Sequence, residues 1–557
     1  MMFTRKPGAP SLAPALTPPA ASATPLPRPF RAPGPPSQPA AWRDRTWADG
    51  TWRSVAMPLA MAAVFAVLGH LAVMRDVWPV HGTAARAGVL LRIDLLAGLV
   101  WLGVLAVLAR SRYRGSRRIV VLPFVLSLVT QATSFHLFGD PVYVPDPGVA
   151  RTVASEYKSQ HARRAAVERD YTPERRRLVG IDAAAPTPRR DGWSRVPRAA
   201  GFLAPVLAPI GLLIGFLLGT RELPMRVVRR HRRAALAVVA GAVVVLSIAF
   251  THGGRVGNRT PWEFFLVAFV VLWAAALADD AHNLGAPSVR RPQVLARLIA
   301  YGAVPVTPFV LLPGTRDLGI AVVLASSLAA MLVVGTRRRR WLAFMGAVWA
   351  VLVVVAFRFD ARSATRFALA YEPYRDVATL GGPDAPAARR WAAKVHQTKL
   401  FDANVLAGGV LGAGPGRGHP ETAPNAADDG FVTSFAAEWG VLGTGALALL
   451  YVLFLTSMLA AAAEERGTFE RSLVVGLTML IGMPFWLSAL GALRVVPLTG
   501  VAAAFIAHGG SKLVASSVAV GVVAAMSHRR RGLHGRTVRD DTRATNPPWL
   551  PITETTR

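Results

Sequence analysis

The chain has 557 residues, of which 52% are hydrophobic, and it carries a formal net charge of +31. It contains no cysteine, which excludes disulfides, thiolate metal sites and cysteine nucleophiles. A strongly basic chain is typical of nucleic-acid binding. Here, however, the arginines are concentrated in short loops between apolar blocks, as in membrane proteins, and we predict that nucleic acid is not a partner.

Taken in chain order, the sequence begins with residues 1–50, which are rich in Pro, Ala and Ser and predict a disordered cytoplasmic tail. Apolar blocks of about 20 residues follow, the length that spans a bilayer. We identify roughly twelve of them: 55–74, 88–110, 119–138, 201–220, 234–252, 261–279, 296–313, 317–335, 341–357, 431–462, 470–493 and 501–526. The predicted fold class is all-α, a polytopic helical membrane protein with about 10–12 transmembrane helices.

The arginine clusters predict the orientation of the chain. They lie at 110–118, 221–233, 336–340 and 528–536, and the positive-inside rule places such loops in the cytoplasm. We therefore expect a multi-pass membrane protein with both termini cytoplasmic. Because the first apolar block begins only near residue 55, we expect no cleavable signal peptide.

Four regions are expected along the chain. The tail 1–50 is followed by N-terminal membrane helices at 51–250, which include an extracytoplasmic insert at 139–200 whose charges have helical spacing. A membrane core at 251–530 contains the largest extracytoplasmic loop, 358–430, and a basic cytoplasmic tail follows at 531–557. Loops of that length are usually functional or disordered.

Two short motifs place an acid at the start of a span. GGRVGNRTPWEFF (253–265) carries Glu263, and TRDLGIAVV (315–323) carries Asp317. Acids are common at helix N-termini, where they cap the helix or interact with its dipole. Each motif alone therefore has an ordinary structural interpretation.

Two further motifs are rich in glycine. GGVLGAGPG (408–416) has spacing that lets backbone approach backbone or a phosphate closely, although it is not a Walker loop. In VVPLTGVAAAFIAHGGSKL (495–513), Pro497 and Gly500 precede a predicted span, and Gly509, Gly510 and Ser511 interrupt it.

A fifth motif, PNAADDGFVTSFAAEWG (424–440), contains the strongest candidates for chemistry. Asp428 and Asp429 precede a long apolar helix that carries Glu438. A charged group costs roughly 3 kcal/mol on membrane-insertion scales. The pattern leaves two interpretations open, a solvated helix cap or a reactive carboxylate.

In this order and with these intervals, the five motifs resemble the SEDS family (shape, elongation, division and sporulation proteins). That family shows five motifs in order. The first three are Pro-Ser-Glu, Asp-Leu-Gly-Thr-Ala and a glycine run. The fourth is a Pro with an Asp five residues later, followed by Glu and Gly, and the fifth is Pro-x-Thr-Gly before Ser-Tyr-Gly-Gly-Ser. The matching positions are Pro261 to Glu263, Asp317 to Ala321, Gly408 to Gly416, Pro424, Asp429, Glu438, Gly440, Pro497, Thr499, Gly500 and Ala507 to Ser511. The resemblance covers about residues 250–530.

Several positions depart from the family pattern, so the chain resembles a divergent member. The departures are Trp262 for Ser, Leu266 for Lys, Ile320 for Thr, Ala504 for Pro, Ala437 for the first of a Glu pair, and AHGGSK for Ser-Tyr-Gly-Gly-Ser-Ser.

The resemblance implies a glycosyltransferase that polymerises lipid II into peptidoglycan, with Asp429 as the catalytic base. The neighbouring Asp428 would raise the pKa of Asp429 by like charge, and it could itself act as a helix cap or bind a divalent cation such as Mg²⁺ or Mn²⁺. Glu438 would face a water-filled cavity or pair with an arginine, for which Arg494 is the candidate. The remaining candidates for substrate binding or support are Glu263, Arg255, Asp317, Gly408, Gly409, Lys399, Arg417, Thr499, His508 and Ser511.

The resemblance also implies partners, and the sequence leaves other functions open. The expected ligands are lipid II and a lipid-linked growing glycan, and the expected partner protein is a class B penicillin-binding protein transpeptidase. One alternative is a ligase of the O-antigen type that moves a lipid-linked glycan to another acceptor. Others are a flippase for lipid-linked precursors and a non-catalytic division scaffold. The sequence does not separate elongation from division or sporulation.

Overall fold

The computed structural model describes residues 52–81, 84–139, 203–221, 262–285, 318–343, 361–374, 386–423, 425–507 and 510–545, with short pieces between 227 and 245 and between 346 and 350. The N-terminal tail and the 139–200 insert, apart from Gly139, lie outside these residues. So do most of the predicted spans at 234–252, 296–313 and 341–357.

The described residues include eleven α-helices joined by turns and irregular segments. They are α1 (Arg53–His81), α2 (Ala84–Arg110), α3 (Arg117–Gly139), α4 (Ala204–Thr220), α5 (Trp262–Gly285), α6 (Leu318–Thr336), α7 (Ala361–Tyr371), α8 (Pro386–Gly408), α9 (Phe431–Glu464), α10 (Thr468–Ala492) and α11 (Gly510–Thr545). Seven of these contain segments long and apolar enough to cross a membrane, in α1, α2, α3, α6, α9, α10 and α11, and α4 and α5 contain shorter apolar segments. The predicted all-α polytopic fold is confirmed.

The predicted loop 358–430 contains regular structure where it is described. It includes α7, α8 and a short 3₁₀ helix at Pro420–Thr422. Helix α8 packs against α9, and α7 packs against α8. This segment therefore brings its polar residues to the N-terminal end of α9.

The tightest described helix pair joins α4 to α11. Gly215 of α4 lies directly against the backbone of Val518, and Gly521 of α11 lies against the backbone of Leu212. Small residues allow such close approach between helices in a membrane, where van der Waals packing drives their association.

Helix α9 is broken at Gly440, whose φ of 68° and ψ of −175° are not helical. The 408–416 glycine run packs into the break. The N–H groups of Val441 and Leu442 donate to the carbonyls of Gly409 and Val410 at 3.0 and 3.1 Å. On the other side, Ala413 and Gly414 donate to the carbonyls of Ala437 and Glu438 at 3.1 and 2.9 Å. The glycine run thus satisfies backbone groups that a broken helix in a bilayer would otherwise leave unpaired.

The last span begins later than the sequence pattern predicted. Helix α11 starts at Gly510, and the predicted span from 501, interrupted by glycines, is wrong. Gly500 and Phe505 have φ values of 76° and 66°, which a right-handed helix does not allow. Residues 501–507 instead form a largely buried non-helical segment before the helix.

Candidate active site

A cavity of about 460 Å³ lies where α7, α8, α10 and the turn before α9 meet. Both polar and apolar residues line it: Arg366, Leu369, Ala370, Gln397, Thr398, Phe401, Asn425, Asp428, Asp429, Gly491, Ala492, Arg494, Leu498 and Gly500. The cavity therefore combines two adjacent carboxylates with two arginines.

Asp429 is buried in the wall of this cavity, with 5% of its surface exposed. The Ser488 hydroxyl of α10 donates to the Asp429 backbone carbonyl at 3.0 Å. Asn425, at φ 56°, begins the turn, and its carbonyl accepts the N–H groups of Asp428 and Gly430 at 3.0 and 3.1 Å. Among the described residues, the Asp429 Oδ1 atom has no hydrogen-bond partner. The turn is thus held by hydrogen bonds, while the buried Oδ1 atom of the Asp429 carboxylate has no hydrogen-bond donor among these residues.

Burial raises the pKa of Asp429 to about 7, and the charge of Asp428 adds to this effect. Arg366 acts in the opposite direction and lowers the Asp429 pKa. A carboxylate with a pKa near 7 has the basicity that general-base catalysis at neutral pH requires.

Asp428 is accessible from the cavity, but the protein around it still raises its pKa to about 6 through desolvation. The interpretation of Asp428 as the helix cap is wrong. Gly430 occupies the N-cap position of α9, and no side chain caps it. At the helix start, Asp428 contributes its backbone carbonyl, which accepts the N–H of Phe431 at 3.4 Å.

The cations at the cavity differ from those selected by sequence. Arg366 and Arg494 line it, whereas Arg417 and Lys399 do not appear in its lining. The expected pairing of Arg494 with Glu438 is wrong, because Arg494 pairs with Asp402 at 3.3 Å. Long-range pairs of this kind depend on how loops fold back, which sequence spacing does not reveal.

Tyr374 lies beside this ion pair. Its hydroxyl donates to Asp402 at 2.8 Å, and Lys399 lies over its ring at 5.3 Å from the centroid. Arg494 lies over the same ring at 5.8 Å. These contacts hold the Arg494 side chain beside the cavity, and Lys399 belongs to the same cluster without lining the cavity.

Glu438 is buried and pairs with a histidine that the sequence analysis did not select. The His136 Nδ1 atom lies 2.6 Å from Glu438 Oε1, the Thr133 hydroxyl donates to Glu438 Oε2, and the Gly416 N–H donates to Oε1 at 2.9 Å. The cost of a buried carboxylate is thus offset by three groups, none of them an arginine.

The remaining candidates are spread over the structure. Arg417 forms an ion pair with Asp76 of α1 at 2.6 Å, and Glu263 lies 4.0 Å from Lys512 of α11. Gly408 packs against the backbone of Ala436 in α9. Thr499 is half-buried with a hydroxyl that makes no hydrogen bond among the described residues, and Ser511 is half-buried in the first turn of α11. Arg255, Asp317, Pro424 and His508 lie outside the described residues.

Within the described residues, no cluster of three or more His, Asp or Glu side chains has the geometry of a metal site. The important residues that sequence reasoning missed are Arg366, His136 and Glu421. Each is a single polar residue in a helical or irregular segment, and local spacing gave no signal for any of them.

The family model of the FtsW, RodA and SpoVE cell cycle proteins matches residues 225–532, more than half of the chain. The chain belongs to this family. It is therefore a multi-pass membrane protein of the SEDS group that the motifs indicated, a family of peptidoglycan glycosyltransferases.

The curated relatives are distant. RodA of Mycobacterium tuberculosis (strain H37Rv), named a peptidoglycan glycosyltransferase, is 25% identical over 339 residues, which cover 58% of this chain and 68% of the relative. FtsW of Caulobacter vibrioides, named a probable peptidoglycan glycosyltransferase, is 26% identical over 320 residues, covering 55% of this chain and 75% of the relative.

Two solved structures are also similar. One, described as a peptidoglycan synthase complex that coordinates polymerization and crosslinking, is 21% identical with a TM-score of 0.44, covering 60% of this chain and 91% of the other. The rod shape determining protein RodA of Thermus thermophilus is 19% identical with a TM-score of 0.34, covering 59% and 88%.

Proposed function

We propose that this family member is an active peptidoglycan glycosyltransferase that polymerises lipid II, with Asp429 as its general base. The observation that carries the proposal is the state of Asp429. It is buried in the wall of a cavity, its pKa is raised to about 7, and one of its oxygens is free of hydrogen bonds from described residues.

The chemistry requires one base and positive charge. The 4-hydroxyl oxygen of the incoming lipid II attacks the anomeric carbon of the lipid-linked glycan, and its proton passes to the Asp429 carboxylate. The bond from that carbon to the pyrophosphate oxygen breaks, and the lipid pyrophosphate leaves with the electron pair. Because pyrophosphate is a good leaving group, one carboxylate is enough for an inverting transfer, in contrast to the two carboxylates of glycoside hydrolases.

Arg366 and Arg494 are the groups that we assign to the developing pyrophosphate charge. Both line the cavity that contains Asp429, and guanidinium groups bind phosphate oxygens through two parallel hydrogen bonds. Arg417, a candidate from the sequence, is not assigned this role because it does not line the cavity and its side chain is exposed to solvent.

We further propose that the reaction takes place on the outer face of the bacterial inner membrane, together with a class B penicillin-binding protein. Polymerised strands require a transpeptidase for crosslinking, and the resemblance to SEDS proteins implies that partner. The large loop carrying α7 and α8 falls on the outer side when the positive-inside rule is applied to the arginine clusters.

The decisive experiment is polymerisation of fluorescent lipid II by the purified full-length chain, with and without the penicillin-binding protein. The wild type is expected to make glycan polymer, and Asp429→Ala is expected to make none. Asp429→Asn, which keeps the shape and removes the basicity, should fall to the same level. The matched control is Glu464→Gln at the opposite end of α9, which should retain activity.

Each other outcome favours a different function. If the wild type makes no polymer in either condition, the polymerase proposal is wrong. If the protein translocates lipid II across vesicles and Asp429→Ala does the same, the flippase interpretation is supported instead.

A further inference from the structure

His136 is a buried histidine in α3. It lies before residue 225, outside the segment that matches the family, and it has 2% of its surface exposed. Its two ring nitrogens face two different carboxylates. Nδ1 lies 2.6 Å from Glu438, and Nε2 lies 3.6 Å from Glu421.

Both carboxylates are themselves buried, with exposures of 3% for Glu421 and 1% for Glu438. The contact to Glu438 is at hydrogen-bond distance, whereas the 3.6 Å contact to Glu421 is at ion-pair distance, and the Glu421 Oε2 atom has no hydrogen-bond partner among the described residues. His419 makes a second contact to Glu421 at 3.0 Å. Although burial opposes ionisation, the His419 hydrogen bond and the nearby His136 lower the pKa of Glu421. The two carboxylates of the cluster therefore have histidine side chains as their neighbours.

The two glutamates of this cluster lie on either side of the proposed catalytic base in the sequence. Glu421 precedes Asp429 by eight residues, and Glu438 follows it by nine. A single side chain of α3 thus holds the segments on both sides of the proposed catalytic base. Leu137, the next residue of α3, packs in one apolar cluster with Ala423, Ala426, Ala427 and Phe401.

We propose that His136 is a positioning residue, an ionic clamp that ties the segments flanking Asp429 to α3 and so fixes the carboxylate in the cavity. The catalytic consequence rests on the function proposed above, whereas the clamp itself can be tested without activity. Its loss should misplace the base rather than weaken substrate binding, and misplacement of a catalytic group by about 1 Å can cost up to about 100-fold in rate.

The kinetic test compares three variants in the lipid II assay. His136→Ala should lower kcat about 10-fold or more and leave KM nearly unchanged, because a positioning group acts on the transition state. His136→Asn and His136→Gln each place one amide near one of the two ring-nitrogen positions, and both should retain more activity than His136→Ala. A residue that only fills space would give no such rescue.

The structural test uses the absence of cysteine from the natural chain. Ala423 is fully buried in the flanking segment, so a thiol in Ala423→Cys should react slowly with maleimide. Adding His136→Ala should speed this labelling about 10-fold or more, since the segment is released from α3.

The matched control is His70→Ala, tested in the same Ala423→Cys background. His70 of α1 is also a buried histidine, paired with Asp94 at 3.2 Å and with the Ala66 carbonyl. It packs on Phe135 of α3 at 4.7 Å between ring centroids, so it tests the loss of a histidine beside α3 that contacts neither Glu421 nor Glu438. It should leave the labelling rate at Ala423→Cys unchanged.

The possible failures can be told apart. If the wild type forms polymer and His136→Ala leaves either the labelling rate or kcat unchanged, the clamp is overturned and the proposed function is intact. If the wild type makes no polymer, the proposed function and the catalytic role of His136 both fail. Faster labelling in that case would support the tether alone.

Discussion

At the residue scale, ionising Asp429 costs more free energy than ionising a solvent-exposed aspartate. Burial and the neighbouring Asp428 raise its pKa to about 7, and Arg366 moderates that rise. If Asp429 accepts a proton in the reaction, its ionised fraction sets the rate below neutral pH.

The first prediction is therefore a pH profile. Polymerisation should increase about tenfold per pH unit below pH 7 and level off above it, because only the ionised carboxylate is a base. Asp428→Asn removes a negative charge and should move the midpoint to lower pH, by about half a unit to one unit. Arg366→Ala removes a positive charge and should move it to higher pH.

Initial rates measured between pH 5 and 9 check these directions. Midpoints that move in the same direction for both variants would contradict the assignment of Asp429 as the titrating base. The wild type and both variants are assayed at the same saturating concentration of lipid II, so that their pH profiles can be compared directly.

The second prediction concerns stability. The Asp429 pKa is higher in the folded than in the unfolded protein. Between about pH 4 and 7, Asp429 is therefore protonated in the folded protein and ionised in the unfolded protein. Its contribution to the free energy of unfolding falls as the pH rises through that window. Asp429→Asn removes the penalty. It should stabilise the protein at pH 8 by up to a few kcal/mol, at about 1.4 kcal/mol per unit of pKa shift, and much less at pH 5.

Thermal unfolding in detergent at both pH values measures this difference. The comparison between the two pH values is the internal control, since any change in packing would affect both. An equal shift of the melting temperature at pH 5 and pH 8 would show that the ionised carboxylate carries no penalty.

The sequence revealed Asp429 but not its surroundings. The acid could be found because its motif is local, with Pro424 five residues before it and Gly440 eleven residues after it. His136 could not be found in this way, because it is separated from Glu438 by 302 residues and a lone histidine in an apolar helix has no distinguishing neighbours. The prediction of an arginine partner for Glu438 failed for the same reason.

At the element scale, the break in α9 is the feature that shapes the site. Gly440 has a φ of 68°, and a Cβ added there would overlap the backbone of the 408–416 glycine run. The sequence indicated that this run allows close backbone approach. It did not show that the approaching backbone belongs to α9.

The third prediction tests this break. Gly440→Ala should destabilise the protein by about 1–3 kcal/mol through overpacking and should lower activity, because Glu438 lies on the helical segment before the break and Asp429 lies in the turn that leads into it. Gly445→Ala is the matched control. It lies in the same helix with open space around it, and alanine there should be neutral or stabilise by up to about 1 kcal/mol. Thermal unfolding and the lipid II assay measure both variants.

Comparing Gly440→Ala with Gly445→Ala shows whether the break in α9 is required. If Gly440→Ala and Gly445→Ala behave alike, the break at Gly440 contributes nothing to stability, and the capping by the glycine run is incidental. A loss confined to Gly440→Ala would show that the break is required.

At the scale of the whole molecule, the segment that matches the family begins at residue 225, yet packing crosses that point. Helix α4 lies before it and packs along α11, which lies within it. His136 of α3 likewise reaches Glu438. The apolar blocks predicted α3 and α4 as spans, but block length carries no information about which spans touch. Partner choice depends on residues such as Gly215, which only the assembled helices reveal.

The last prediction is that the α4–α11 contact supports the catalytic core. A Cβ at Gly215 would overlap the Val518 backbone, and backbone cannot move aside as a side chain can. Gly215→Ala should therefore push the helices apart, cost about 1–3 kcal/mol, and reduce polymerisation because α11 also holds Lys512 beside Glu263. Gly103→Ala, at an exposed glycine of α2 with open space around it, is the control. It should leave activity unchanged, and its stability should be unchanged or higher by up to about 1 kcal/mol. If Gly215→Ala unfolds at the wild-type temperature and polymerises normally, α4 is dispensable for the core. A joint loss of stability and activity would mean that the helices outside the matched segment are part of the working enzyme.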